Sequence, residues 1–233
     1  MKMHRALSAG LLLVAFASQA APTHQYQLNG SLADDFGGPA LGAHGGSLGA
    51  TGYTFGKNQG LTLGASLGAV YTVDLSYHFD SHSGWQKIID FSDLTSDAGM
   101  YTLNGDYNFF PVGGYGPAPA DGVDGRLTIT RDAASLVKIY ANGTLIGSFA
   151  DSTPLADFSG HGANFFIDDF ATSQNEAATG FVDDIRTWNE ALGDDDVGRL
   201  GPPQTPAVPE PETYALMLAG LGALGFVARR RRG

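Results

Sequence analysis

"AVYTVDLSYHF" (69–79) alternates without a break: Tyr71, Val73, Leu75, Tyr77 and Phe79 fall on one face, and Thr72, Asp74, Ser76 and His78 on the other. A period of two over this length marks a half-buried β-strand. Downstream, "GRLTITRD" (125–132) turns Leu127 and Ile129 inward. "LVKIYANGTLIGSF" (136–149) holds two short strands around Asn142-Gly143, and "MYTLNGDYNFF" (100–110) holds two around Asn104-Gly105. Asn-Gly favours a two-residue hairpin, because a type I′ turn needs positive φ at both central positions. "YQLNGSL" (26–32) carries the same dipeptide at Asn29-Gly30. One helical turn is expected within "NEALGDDDVGRL" (189–200), and no internal repeat stands out. The pattern predicts an all-β fold, an antiparallel two-sheet β-sandwich of the jelly-roll kind.

Composition agrees. The 233 residues include 33 Gly and only 16% charged residues, as suits a turn-rich β protein. There is no cysteine, so neither disulfides nor Cys-ligated metals are available. Residues 21–200 carry 7 Lys/Arg against 22 Asp/Glu, a net charge of −15. So acidic a body repels phosphate backbones, which argues against nucleic-acid binding. The remaining positive charge sits at the ends, at Lys2 and Arg5 and at Arg229, Arg230, Arg231 and Arg232.

Those ends read as targeting segments. "MKMHRALSAGLLLVAFASQA" (1–20) has a basic start, an apolar stretch and a small-residue finish, so signal peptidase is expected to cut after Ala20. At the other end, the apolar run Tyr214–Ala228 has 15 residues. As a helix it would be about 22 Å long, short of the ~30 Å hydrocarbon core. With the arginines on the cytoplasmic side it reads as a transient inner-membrane anchor. Residues 201–207 form a Pro-rich linker ahead of it, extended and open to proteolysis. Val208-Pro209-Glu210-Pro211, the apolar run and the arginine cluster together resemble the PEP-CTERM sorting signal of Gram-negative bacteria. That resemblance covers 208–233. It implies recognition by an exosortase-type protease, and release or attachment at the cell surface of a bacterium making exopolysaccharide or biofilm.

The body, 21–200, has a resemblance of its own. "YQLNGSLADDFG" (26–37) looks like the opening of LamG-like, concanavalin A-like domains, "RLTITRDAASLVKIYANGTLIGS" (126–148) like their central hairpins, and "GFVDDIRTWNEALGDDDV" (180–197) like their closing strand and helical turn. The likeness implies two curved sheets of about six or seven strands each, with ligands on the concave face or rim loops.

Some members of that fold are glucanases bearing a Glu-x-Asp-x-x-Glu motif, which supplies two carboxyls about 5 Å apart for retaining hydrolysis. The four glutamates here are Glu176, Glu190, Glu210 and Glu212; the last two lie in the tail, and none sits in such a motif. The adjacent pairs Asp168-Asp169 and Asp183-Asp184 would point to opposite faces of a strand and could not act together. No catalytic residue is therefore assigned, and the protein is expected to be non-enzymatic. Calcium is a candidate cofactor, because clustered Asp supplies the oxygens it needs: Asp90, Asp93 and Asp97 in "DFSDLTSD" (90–97), with Asp168, Asp169, Asp183 and Asp184. The competing view is that aspartate is abundant as a turn former. His78, Asp80 and His82 would share a face if their strand continued, but the better reading ends it at Phe79. For sugar, Trp85, Tyr107 and Tyr115 lie beside turns where a ring could stack on a pyranose. "FPVGGYGPAPADG" (110–122) reads as the longest irregular stretch. The expected function is an exported polysaccharide-binding or adhesion module, with extracellular polysaccharide as partner. The alternatives are a structural surface protein without sugar specificity and a divergent glycan-active enzyme.

Overall fold

The computed structural model describes residues 20–200. The expected signal peptide except Ala20, and the linker, apolar run and arginine cluster, with Val208, Pro209, Glu210 and Pro211, lie outside the described residues. Fifteen strands follow in order: β1 (His24–Tyr26), β2 (Gly42–Ala43), β3 (Ser47–Leu48), β4 (Tyr53–Phe55), β5 (Leu61–Leu63), β6 (Tyr71–Phe79), β7 (Trp85–Asp90), β8 (Gly99–Leu103), β9 (Asp106–Phe110), β10 (Gly113–Pro117), β11 (Gly125–Arg131), β12 (Leu136–Ala141), β13 (Thr144–Ala150), β14 (Ala163–Phe165) and β15 (Gly180–Trp188). One short helix, α1 (Asp194–Gly198), closes the described chain.

The strands build two antiparallel sheets. The first runs β13-β12-β11-β6-β15-β4-β3, with β1 also paired to β15, eight strands in all. The second runs β10-β9-β8-β7-β14-β5-β2, seven strands. Both Asn-Gly hairpins form as expected. Asn142 and Gly143 take φ of 49° and 79° between β12 and β13, and Asn104 and Gly105 take 51° and 90° between β8 and β9. Asn29-Gly30 makes no hairpin, because β1 turns to β15 for its partner and the Gly30 N–H donates to the Gly49 carbonyl at 2.8 Å. The stretch 110–122 is less irregular than expected, since β10 pairs with β9 across a bulge between Gly114 and Gly116.

β6 is the spine of the first sheet, flanked by β11 and β15. Its inward residues Tyr71, Val73, Leu75, Tyr77 and Phe79 meet Ile88, Ile89, Phe109 and Phe158 in one continuous core. The Phe55 and Phe166 rings stack at 4.4 Å within it. Each large side chain buried there contributes about 1.5–3 kcal/mol.

The outward face of β6 departs from the half-buried expectation. Thr72 and Asp74 are both fully buried. The segment after β15 folds back over this face, and Trp188, Leu192, Val197 and Leu200 pack with Tyr140 into a second, smaller core. Asp74 is tolerated beneath that cover because it is well partnered. Arg186 Nη2 donates to it at 2.7 Å, Thr128 Oγ1 at 2.6 Å, and Arg126 Nε lies at 3.5 Å. A buried charge needs such partners to offset lost hydration.

Candidate functional site

Turns and strand ends of both sheets converge on a cleft of about 500 Å³. Lys57 comes from the turn after β4, Ser81 to Gly84 from the β6–β7 turn, Trp85 and Gln86 from β7, and Asn175 to Thr179 from the segment before β15. Trp85 is half-buried and held edge-on by two neighbours, Tyr101 at 5.5 Å and Phe110 at 5.6 Å. An indole fixed this way loses little freedom when a ligand stacks on it. Gln86 is locked as well, donating to the Ser81 carbonyl at 2.9 Å and accepting from Thr102 Oγ1 at 3.2 Å. The Lys87 N–H donates to the Glu176 carbonyl at 2.8 Å, tying the far wall to β7.

Glu176 is the one carboxylate lining this cleft. Burial, then the negative charges of Asp97, Asp168 and Asp169, push its carboxyl up to about 7, and Lys87 offsets them only in part. Its sequence isolation is thus misleading, because folding brings three aspartates into its field.

Two expected sugar contacts fall elsewhere. Tyr107 is fully buried in the core, its ring inside the sandwich, and cannot meet a saccharide. Burial raises its hydroxyl to about 12. Alternation on β9 decides this: Tyr107 shares the inward face with Phe109. Tyr115 is partly buried and lies across Gly147 of β13, where any Cβ would overlap its ring. It joins the edges of the two sheets, away from the Trp85 cleft.

The seven aspartates considered for calcium do not form one cluster; Asp97, Asp168 and Asp169 gather about Tyr101 and Lys87, and the other four lie apart. Asp90 ends β7 and spends one oxygen on the N–H groups of Ser92 and Leu94. Asp93 pairs with His161 at 2.8 Å, and Asp97 accepts from the Tyr101 hydroxyl at 2.9 Å. Asp183 and Asp184 belong to β15, in the other sheet. Asp168 and Asp169 do converge, contrary to the opposite-face expectation, because they lie beyond the end of β14 rather than on a strand. A cation already serves them: Lys87 Nζ is 2.6 Å from Asp169 Oδ2 and 4.0 Å from Asp168 Oδ1. Among the described residues, no three His, Asp or Glu side chains are grouped to hold a metal ion. His78 and His82 also part, pairing with Asp124 at 2.6 Å and Asp121 at 2.7 Å, and β6 ends at Phe79 as expected. Lys87 itself escaped sequence reasoning. The available signal was a lysine amid the apolar residues of "WQKIID" (85–90), where a charge needs a buried partner.

Residues 55–198 match the model of the concanavalin A-like lectin/glucanases superfamily. The chain belongs to this superfamily. Residues 207–232 match the PEP-CTERM protein-sorting motif, so this superfamily member is exported and processed at the membrane by an exosortase. Domain 4 of AbnA, a GH43 extracellular arabinanase from Geobacillus stearothermophilus solved with arabinotriose, is similar with a TM-score of 0.58 at 16% identity, covering 78% of this chain and 98% of that one. A Trypanosoma rangeli sialidase complexed with 2,3-difluorosialic acid gives 0.58 at 13% identity, covering 78% of this chain. This lectin/glucanase-like chain spans 31% of that sialidase's length. The botulinum neurotoxin type G receptor-binding domain gives 0.55 at 14% identity, covering 77% of this chain and 50% of that one. These identities establish a shared fold and nothing finer. No curated protein matches the sequence. Among the described residues, no helix is long and apolar enough to cross a membrane.

Proposed function

We infer that the domain is a non-enzymatic polysaccharide-binding module, and that the cleft beside Trp85 is its saccharide site. The observation that carries this is the clamped Trp85 ring at a cleft rimmed by Lys57, Gln86, Asn175, Thr179 and two serines. A rigid apolar face surrounded by amides and hydroxyls is the chemistry that recognises a pyranose, whose ring faces are apolar and whose rim is polar. The arabinotriose-bound relative supports the reading as an example of the same fold holding a sugar chain. The two-carboxylate route of most glycoside hydrolases needs a second carboxyl across the scissile bond, and Glu176 has none among the residues lining the cleft. On this reading the module acts at the surface of a Gram-negative cell, in its exopolysaccharide matrix; the PEP-CTERM sorting motif supports it.

The test is affinity electrophoresis and calorimetry on purified exopolysaccharide and an oligosaccharide panel. The wild type binds, Trp85→Ala loses at least tenfold in affinity with an unchanged circular dichroism spectrum, and no reducing ends accumulate. Equal binding by wild type and Trp85→Ala would refute the site. No binding to any glycan would refute the function and leave a structural surface protein. Release of reducing ends abolished by Glu176→Gln would make it an enzyme.

A further inference from the structure

Lys87 is fully buried, and the side chains of Asp168 and Asp169 beside it are likewise 0% exposed. Its ammonium is fixed from several sides. Nζ donates to Asp169 Oδ2 at 2.6 Å and to the Asp97 carbonyl at 3.4 Å. The Tyr101 ring lies beneath it, 4.3 Å to the centroid. Gly99 leaves the room, since a Cβ there would stand 3.3 Å from Nζ. Asp168 Oδ1 waits 4.0 Å from Nζ with no hydrogen-bond partner, while Oδ2 of the same group accepts from Thr172 Oγ1 at 2.8 Å and the Glu176 N–H at 2.7 Å. A buried amine and a carboxyl in contact with it are the reactants of an amide condensation, and the second, half-satisfied carboxyl at their side can relay its protons.

We propose that Lys87 and Asp169 join in an intramolecular amide bond, formed by the folded chain itself with Asp168 as the acid–base group. One proton first moves from Nζ to Oδ2 along their hydrogen bond, turning the ion pair into an amine and a carboxylic acid. Burial is outweighed by the hydrogen bond and charge of Lys87, which hold the Asp169 carboxyl below its ordinary range, so this transfer is the uphill step. The Nζ lone pair then attacks Cγ of Asp169, forming the N–C bond and moving the carbonyl π electrons onto oxygen. Asp168 relays a proton from the nitrogen to the departing hydroxyl. The C–O bond breaks, water leaves, and Asp168 returns to its starting state. Amine and acid become amide and water, and nothing else is consumed. Burial holds the Asp168 carboxyl above the ordinary range, which keeps a proton available for the relay. Two groups locked in contact gain the large effective concentration that free amines and acids lack in water.

The bond would serve the fold as a disulfide does elsewhere. It ties β7 to the segment after β14, 82 residues away in sequence, in a chain without cysteine. A cross-link closing so long a loop restricts the unfolded state strongly.

Tryptic mapping of the denatured full chain tests the proposal. Acylated Lys87 resists trypsin, so the expected product is Asn58–Arg126 joined to Ile139–Arg186, lighter by one water than the two peptides together. Cleavage after Lys87, with the peptides separate and at their sequence masses, overturns the proposal. In Asp168→Asn the Lys87–Asp169 contact remains, and the linked peptide should form at least tenfold more slowly on refolding. Linkage of this variant at the wild-type rate would overturn the role given to Asp168. Asp169→Asn offers an independent check: condensation there releases ammonia instead of water and yields a linked peptide of the same mass as the wild type's.

Discussion

Asp184 → Asn should stabilise the protein above neutral pH and leave it nearly unchanged in mild acid. Asp184 is fully buried on β15, and neither carboxylate oxygen has a hydrogen-bond partner. Arg186 Nε is 3.1 Å away, but that guanidinium is aimed at Asp74, to which Nε and Nη2 both donate. Burial, opposed by Arg186 and reinforced by Asp74 and Asp183, therefore raises the carboxyl from 3.8 to about 7. The sign follows from proton linkage. The folded state holds this proton more tightly than the unfolded chain, so stability is complete below pH ~4 and is lost as pH rises through about 7. At about 1.4 kcal/mol per pH unit, that interval is worth at most about 4 kcal/mol. Asparagine keeps the shape and never ionises. At pH 8 the variant should gain about 2–4 kcal/mol, or about 4–16 °C in Tm at ~2–4 °C per kcal/mol. At pH 4 the gain should vanish. Urea unfolding of both proteins at the two pH values measures it. An equal change at both, or a less stable variant at pH 8, would show that Asp184 is a well-solvated partner of Arg186 and refute the reasoning.

Other expectations follow from the same geometry. Asp151→Ala removes the nearer carboxylate of buried Arg131, whose Nε donates to it at 2.9 Å, while Asp157 stays at 3.7 Å, and should cost about 1–3 kcal/mol in urea unfolding; no measurable loss would mean water reaches Arg131. Gly143→Ala puts a side chain at φ 79°, with its Cβ 3.3 Å from Gly198 Cα, and should cost about 1–2 kcal/mol without altering glycan binding. Millimolar calcium and magnesium should shift Tm alike, because Lys87 already serves Asp168 and Asp169; a calcium-selective rise would locate a site among the other aspartates.

The sandwich was legible because one face of each strand announces itself. Tyr71 to Phe79 alternate without a break, and Asn142-Gly143 and Asn104-Gly105 take the positive φ angles that their hairpins need. Asn29-Gly30 shows the limit of such local signals. The dipeptide permits a turn, but pairing is decided by what lies opposite, and β15 claimed β1. Tyr107 failed for a related reason, since closeness to a turn says nothing about which face a residue takes. Trp85, at the start of β7, stands instead at the rim of a cleft.

What alternation could not reveal is that the outward faces are themselves partly covered. Period-two patterning assigns Thr72 and Asp74 to water, yet residues 188–200 lie over them and convert that face into a second core. On the other sheet, the segment after β14 buries Lys87 and Tyr101 in the same way. Such covers come from distant chain, so their demands on the strand beneath appear only as misplaced polar residues. Asp74 finds Arg186, Thr128 and Arg126; Lys87 finds Asp169. Each partner is separated from it by dozens of residues, and no spacing rule joins them. A charged residue in an apolar strand is then the trace of a second layer, and the chemistry of the molecule should be sought beneath those layers and at their edges. The Trp85 cleft obeys this rule. It opens where the covering segment, Asn175 to Thr179, meets the end of β7, next to the buried charges that raise Glu176.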